Sequence, residues 1–145
     1  MIIYNISVGY VTKNIYKSNY YLLDMKCPTV DNIIESNRRL IMLKKITKAE
    51  KHELIRPRES LEIALKRACS GKDVYNNAAI LLEELNRGHF FGSANKRTSF
   101  VATIDYLKSN NKEILKKPKD DESKFLLKVR KGNTSRKEIK EWLRP

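Results

Sequence analysis

A histidine and three polar residues are spaced in a way that suits phosphate chemistry. His89 stands six residues before Asn95, and Lys96 and Arg97 follow Asn95 directly. Lys96 offers a mobile positive charge, Arg97 a planar fork for phosphate oxygens, and Asn95 a neutral amide donor. Small residues at 92–94 let a phosphate approach the backbone closely. Because an imidazole accepts protons near neutral pH, His89 suits a general base for phosphoryl chemistry. Taken one by one, the same residues are more typical of a structural loop, with His89 bonded to the loop and Lys96 and Arg97 solvated.

The loop that carries these residues is predicted to lie between two helices. Asp73 suits the N-cap of a helix that ends at Arg87-Gly88, and we expect this helix to be the most buried of the fold. A second helix is predicted from about Asn95 to Ser109. Free backbone NH groups and the positive end of the helix dipole attract anions at such a start, which agrees with the residue types of the loop.

Four further helices are predicted from the spacing of apolar residues. One covers about residues 30–46 after the N-cap candidate Thr29, and another lies within residues 57–71. Two shorter helices follow Pro118, and the last begins with a Ser-x-x-Glu capping box at 135–138.

Strand patterns are confined to short segments. Residues 2–8 alternate in polarity and residues 20–23 form a second candidate strand, which together predict a short hairpin. Residues 114–115 are a candidate brief strand. The fold class is therefore mainly all-α, with a helical domain at 28–145 and an N-terminal extension at 1–27.

The composition and net charge are compatible with several kinds of partner and do not identify one. The chain has 145 residues and a formal net charge of +13, which suits a nucleic acid, an acidic protein or a polyphosphate ligand. The basic residues are spread along the chain without an arginine-rich tail, as on a solvated surface. A single domain of this size can fold without disulfides or a structural metal.

Cysteine and histidine usage predicts neither a disulfide nor a zinc site. Cys27 and Cys69 lie far apart without a CxxC spacing, so we expect two reduced, half-buried thiols. His52 and His89 are the only histidines, too few for a typical zinc site. The start of the chain does not resemble a signal peptide, and no apolar run is long enough to span a bilayer, so we expect a cytoplasmic protein without membrane association.

The string at residues 89–97 resembles the Fic/Doc motif, HxFx[D/E][A/G]N[K/G]R. The residues that match it are His89, Phe91, Ala94, Asn95, Lys96 and Arg97. The Ala-Asn-Lys-Arg-Thr version at 94–98 is similar to the Doc (death-on-curing) branch. Flanking segments extend the resemblance over roughly residues 28–145.

This resemblance implies a compact helical Fic fold and a site that uses ATP and Mg²⁺. His89 is then the base that takes the proton from a Ser, Thr or Tyr hydroxyl of a target protein, with Lys96 and Arg97 as further catalytic residues. Phe91 is implied to anchor the loop in the core. The residues implied to bind the nucleotide are Gly92, Ser93, Ala94, Asn95, Lys96 and Arg97.

Two positions favour the Doc mode, in which the terminal phosphate of ATP is transferred instead of AMP. Lys96 stands where AMP-transferring members commonly have Gly, and Phe100 stands where a second Arg would follow. The resemblance then implies a toxin that phosphorylates a cytosolic protein, such as a translation elongation factor. A small acidic antitoxin is the implied inhibitory partner.

Ser93 departs from the motif, because an Asp or Glu at this position would bind magnesium. A hydroxyl is a neutral ligand, so we expect a weaker or altered Mg²⁺ requirement. Three explanations stay open: an enzyme with an altered metal requirement, a catalytically weak member kept for binding, or an inactivating change.

The predicted function is phosphate transfer by a Doc-like toxin, and two other functions remain alternatives. One is AMP transfer to a protein hydroxyl, and the other is a module that binds a nucleotide or a partner without turnover. RNA binding rests only on the net charge, so nucleic acid is not an expected partner.

Overall fold

The computed structural model describes residues 26–43, 53–114 and 118–145, which form six α-helices and no strand. The helices are α1 (Val30–Leu43), α2 (Arg58–Ala68), α3 (Val74–Arg87), α4 (Asn95–Ser109), α5 (Lys119–Arg130) and α6 (Arg136–Leu143). The prediction of a mainly all-α fold is confirmed.

Parts of the predicted secondary structure cannot be compared with these helices. The N-terminal hairpin and the stretch of the first predicted helix after Leu43 lie outside the described residues. Ile114 is not in a strand, and Leu115, the other residue of that predicted strand, lies outside the described residues.

Side-chain caps explain where several helices begin. At α1, Thr29 Oγ1 accepts from the Asn32 NH at 3.1 Å, and Asn32 Oδ1 accepts in return from the Thr29 NH at 2.9 Å. At α6, Ser135 and Glu138 form the predicted capping box. Asp73 caps α3, as predicted. Each of these bonds satisfies a backbone donor that the helix cannot satisfy itself.

The helix that follows the loop, α4, is the most buried element of the described residues. Twelve of its fifteen residues are buried, against seven of the fourteen in α3, so the prediction that α3 would be the most buried was wrong. The burial of α4 was not predicted because many of its residues are polar. Ser99 and Thr103 are buried because their hydroxyls bond backbone carbonyls of their own helix, at 2.7 Å each.

The end of α3 is fixed to the C-terminal helices by polar contacts. Arg87 Nε donates to the Val129 carbonyl at 2.7 Å, and its Nη2 donates to the Thr134 carbonyl at 3.1 Å. The preceding residue is held as well, since Asn86 Nδ2 donates to the Leu126 carbonyl at 2.9 Å. The residues immediately before the loop are therefore held in place by α5 and by the turn that leads to α6.

A disulfide joins the start of α1 to the end of α2. Cys27 and Cys69 are bonded, with their Cα atoms 5.8 Å apart. The expectation of two reduced thiols was therefore wrong. Their separation of 42 residues carries no pairing signal, since the two cysteines meet only because of how α1 and α2 are placed. Among the described residues, no helix has the length and apolar character needed to cross a bilayer.

Candidate functional site

The motif loop, defined here as residues 88–94, connects α3 to α4 and contains two left-handed residues. His89 has a φ of 49° and Ala94 a φ of 64°, a region that costs an L-residue free energy. Ala94 is the N-cap of α4, and its small side chain limits that cost. Left-handed residues are held only where surrounding contacts over-determine them, and they cluster at functional sites.

Glycine readily ends a helix because of its backbone freedom, but Gly88 ends α3 for another reason. Its φ of −65° and ψ of −22° are helical, so backbone freedom is not what the position requires. A Cβ there would lie 2.2 Å from the Phe90 ring and 2.5 Å from the Glu84 carbonyl. Space for the buried Phe90 ring therefore requires glycine, and the left-handed turn falls on His89.

A short extended segment before α2 pairs with the middle of the motif loop. The Ile55 NH donates to the Phe90 carbonyl at 2.8 Å, and the Gly92 NH donates to the Glu53 carbonyl at 2.9 Å. Leu54 and Phe91 form an isolated antiparallel bridge between these two bonds. Phe90 and Phe91 are both 2% exposed, so the two aromatic side chains anchor the loop in the core.

Arg56, in the segment before α2, contacts the beginning of the motif loop. Its Nη1 donates to the Gly88 carbonyl at 2.7 Å, and its guanidinium lies 4.6 Å from the centroid of the Phe90 ring. The first contact is a charge-assisted hydrogen bond and the second a cation–π contact. Both act on the residues on either side of His89, which is itself exposed.

The Asn95 side chain closes the motif loop instead of pointing into solvent. Asn95 is 6% exposed; its Oδ1 accepts from the Phe91 NH at 3.0 Å, and its Nδ2 donates to the Phe91 carbonyl at 2.8 Å. These two backbone partners fix which end of the amide is the NH₂ group. That group lies 3.5 Å from His89 Nδ1, a distance at the long limit of a hydrogen bond.

The Asn95 contact has a consequence for the imidazole of His89. Because an amide NH₂ only donates, it can bond to His89 Nδ1 only while that nitrogen carries no proton. Asn95 orients His89 and the loop with its side chain, and its backbone NH lies in the first turn of α4.

The start of α4 combines backbone donors with two cationic side chains. The first helical bond runs from the Thr98 NH to the Ala94 carbonyl, at 2.9 Å. The NH groups of the first turn before Thr98 have no acceptor within the helix. Lys96 and Arg97 lie in that turn and are half-buried. This arrangement attracts an anion such as a phosphate.

Two arginines of α1 pair with an acidic residue of the same helix. On α1, Arg38 and Arg39 both bond Glu35. The guanidinium of Arg38, and then that of Arg39, lowers the pKa of Glu35 to about 2. Glu35 therefore stays ionised and offsets part of the positive charge of α1.

A residue that the sequence reasoning missed holds the start of α4 from α1. Asn37 is fully buried, and its Nδ2 donates to the Ser93 carbonyl at 2.9 Å and to Thr98 Oγ1 at 3.0 Å. Its signal in the sequence is a polar side chain among apolar ones, since Ile33 and Leu40 lie on the same helix face. Such a residue usually has a specific buried partner.

The described residues do not form a metal site by themselves. No group of three or more His, Cys, Asp or Glu side chains in this part of the chain could hold a metal ion. Ser93, the predicted metal ligand, is half-buried between Gly92 and the left-handed Ala94. One neutral hydroxyl cannot hold Mg²⁺ without phosphate oxygens and water.

The fold and the loop together define a class of protein: a helical domain with an exposed histidine beside an anion-attracting helix start. A model of the Fic/DOC family matches residues 12–107, which include α1, α2, α3, the motif loop and most of α4. The chain belongs to the Fic/DOC family. Members of this family are typically transferases that modify proteins.

Other comparisons add no relative to the family match. No curated protein and no solved structure matches the chain. The division into residues 1–27 and 28–145 stays a prediction.

Proposed function

We propose that the protein is a Doc-like toxin that transfers the terminal phosphate of ATP to a hydroxyl side chain of a cytosolic protein. The observation that carries this proposal is the placement of exposed His89 on a clamped loop that leads directly into the first turn of α4. A base and an anion-attracting helix start are thereby joined within a few residues. The cationic side chains of Lys96 and Arg97 in that same turn support ATP as the phosphate donor.

The proposed reaction needs little covalent chemistry from the protein. The target hydroxyl oxygen forms a bond to the γ-phosphorus, the bond from that phosphorus to the β,γ-bridging oxygen breaks, and ADP leaves with that oxygen. His89 takes the hydroxyl proton. Lys96, Arg97 and the first NH groups of α4 stabilise charge on the phosphoryl group. Mg²⁺, when bound, would neutralise phosphate charge; Ser93 would contribute a hydroxyl beside phosphate oxygens.

The surroundings of Phe100 support phosphate transfer over AMP transfer. Phe100 is 3% exposed, and its ring centroid lies 5.9 Å from that of Trp142 on α6. This position of α4 therefore belongs to the core. It does not supply the second arginine that AMP-transferring members of the family have there.

The proposed partners follow from the same hypothesis of a Doc-like toxin. The target is a protein with an accessible Ser, Thr or Tyr hydroxyl, and a translation elongation factor is our first candidate. A small acidic antitoxin suits the net charge of +13. A cytoplasmic location is part of the proposal. The Cys27–Cys69 disulfide is an observation against this location, since disulfides persist mainly in oxidising compartments.

Ser93 gives a second candidate function some support. If the neutral hydroxyl binds Mg²⁺ too weakly for turnover, the same loop would act as a module that binds ATP or a protein partner. This alternative keeps the anion-attracting start of α4 and gives up only the transfer step.

ATP labelled separately at the α and γ phosphates distinguishes these functions. The purified protein is incubated with each label and a cell lysate, and proteins are separated before counting. The proposal predicts γ label, without α label, on a lysate protein. Label from the α phosphate would mean AMP transfer, and neither label together with measurable ATP binding would support the binding module.

A further inference from the structure

The anion-binding turn, defined here as residues 93–98, is held at both ends by one side chain from another helix. Asn37 of α1 lies 56 residues before Ser93 and 61 before Thr98. Its Nδ2 donates to the Ser93 carbonyl at 2.9 Å and to Thr98 Oγ1 at 3.0 Å. Ser93 comes directly before left-handed Ala94, and Thr98 makes the first bond of α4. One amide therefore spans the whole turn.

We infer that Asn37 is a positioning residue for the nucleotide phosphates. By fixing the two ends of the anion-binding turn, it sets the backbone NH groups and the side chains of Lys96 and Arg97 before ATP binds. Donors that are placed in advance need no reorganisation when the ligand arrives, which strengthens binding and charge stabilisation. This inference rests on the proposed use of ATP at this site.

The helix that carries Asn37 is itself well anchored. Ile33 and Leu40 of α1 are buried in the core. The chain just before α1 is tied to the end of α2 by the Cys27–Cys69 disulfide, and the Lys26 NH donates to Asn110 Oδ1 at 3.0 Å. A side chain on such a helix can fix the position of a loop because its own backbone is fixed.

The chemistry of Asn37 suits a positioning role better than a role in the reaction. The side chain is fully buried, and its NH₂ group donates to two atoms of the protein, the Ser93 carbonyl and Thr98 Oγ1. It acts through Ser93 and Thr98. Loss of Asn37 should therefore weaken ATP binding and raise KM, while the transfer step at His89 changes less.

The first test compares Asn37→Ala with a matched control, Asn77→Ala. Asn77 is also fully buried, and its Nδ2 donates to the Gly71 carbonyl at 2.8 Å and to the Tyr106 hydroxyl at 3.3 Å. Both variants lose a buried amide, but only one contacts the anion-binding turn. We expect Asn37→Ala to raise the Kd and KM for ATP roughly 5- to 10-fold, the value of one to two hydrogen bonds. Asn77→Ala should leave both unchanged.

A second pair of variants keeps the test open if Asn37→Ala does not fold. Thr98→Val removes the hydroxyl acceptor with little change of shape, whereas Thr98→Ser keeps it. We expect Thr98→Val to raise the KM for ATP severalfold more than Thr98→Ser, which keeps the acceptor for Asn37. Equal effects of Val and Ser would contradict a role for the Asn37 bond.

Hydrogen exchange separates failure of this inference from failure of the proposed function. Asn37→Ala should speed exchange of the amides at 93–98, and Asn77→Ala should not, whether or not the wild type transfers phosphate. Faster exchange in a protein without ATP binding would overturn the proposed function while the structural hold remains. Wild-type exchange and wild-type KM in a folded Asn37→Ala variant would overturn the inference.

Discussion

The two left-handed residues of the motif loop, His89 and Ala94, are held by contacts from three directions. Arg56 bonds the carbonyl before His89, Asn95 bonds the backbone of Phe91, and Asn37 bonds the carbonyl before Ala94. These contacts balance the cost of the strained backbone. The loop is thus shaped before any ligand arrives, as an electrostatic site requires.

Position 93 offers a direct test of metal use. The variant Ser93→Asp adds a charged oxygen at the loop, so we expect Mg²⁺ affinity and ATP-dependent modification to rise, on the order of tenfold. Ser93→Asn is the matched control, because the Asn side chain has the same shape as that of Asp without its charge. Calorimetric titration of Mg²⁺ in the presence of ATP measures the first effect, and γ-label transfer the second. If neither rises, Ser93 does not limit the site.

At the residue scale, the sequence predicts which residues lie close together at the motif loop, but not which contacts hold them in place. His89, Asn95, Lys96 and Arg97 are close because they share one loop, which the motif already implies. Asn37 could not be predicted as a partner of Ser93 and Thr98, since a contact across 56 residues depends on how α1 packs on α4. The side chain of Asn95 likewise proved to be a loop anchor.

Among the elements, α3 links the loop to the rest of the fold. It packs against α2, α4, α5 and α6. Its start is fixed by Asp73, whose side chain accepts from the NH groups of Tyr75 and Asn76 and pairs with Lys140 of α6. The pKa of Asp73 is lowered, chiefly by the hydrogen bond from Lys140, and by the two NH groups.

The lowered pKa of Asp73 predicts a pH-dependent contribution to stability. A carboxyl with a depressed pKa in the folded protein stabilises it above the unfolded pKa of about 3.9, and this contribution is lost as the pH falls through the folded value. Asp73→Asn keeps a capping oxygen and removes the charge. Because the Asp73 side chain is 52% exposed, we expect the variant to lose only about 0.5 kcal/mol at pH 7.

Urea unfolding from pH 7 down to pH 2 measures this difference. The wild type and Asp73→Asn should converge as the pH falls below about 4. Asp73→Ala, which also removes the cap, should be about 1 kcal/mol less stable than Asp73→Asn at pH 7. A constant gap between the wild type and Asp73→Asn over the whole pH range would contradict the assigned role of the Lys140 pair.

At the element scale, N-cap residues predict helix starts well. Thr29, Asp73 and Ser135 begin helices where their side chains predict, because capping is a local interaction. The burial of α4 was not predicted, since hydroxyls such as those of Ser99 and Thr103 look polar in the sequence. In the fold these groups bond their own helix and can be buried.

On the scale of the whole molecule, the disulfide connects two helices that lie far apart in the sequence. Cys27 precedes α1 and Cys69 is the C-cap of α2, at a sequence separation of 42. Such a bond restricts the unfolded chain and typically adds about 2–4 kcal/mol of stability. The pairing could not be predicted from spacing, because it depends on the packing of α1 against α2.

Reduction of this bond should lower the melting temperature without altering the motif loop directly. With a dithiol reductant, we expect the Tm to fall by about 5–15 °C. The double variant Cys27→Ser, Cys69→Ser should melt near the reduced protein and be insensitive to the reductant. Thiol alkylation followed by mass measurement shows whether the bond was present. An unchanged Tm after complete reduction would contradict a stabilising role.

We propose that the motif loop transfers the terminal phosphate of ATP to another protein with His89 as the base. The most direct measurement is the initial rate of γ-label transfer by His89→Ala relative to the wild type, with ATP affinity measured for both. We predict a rate lower by roughly 10²- to 10⁴-fold, the usual contribution of a general base, and a Kd for ATP that stays within a few-fold of the wild type. Transfer by His89→Ala at the wild-type rate would contradict the account.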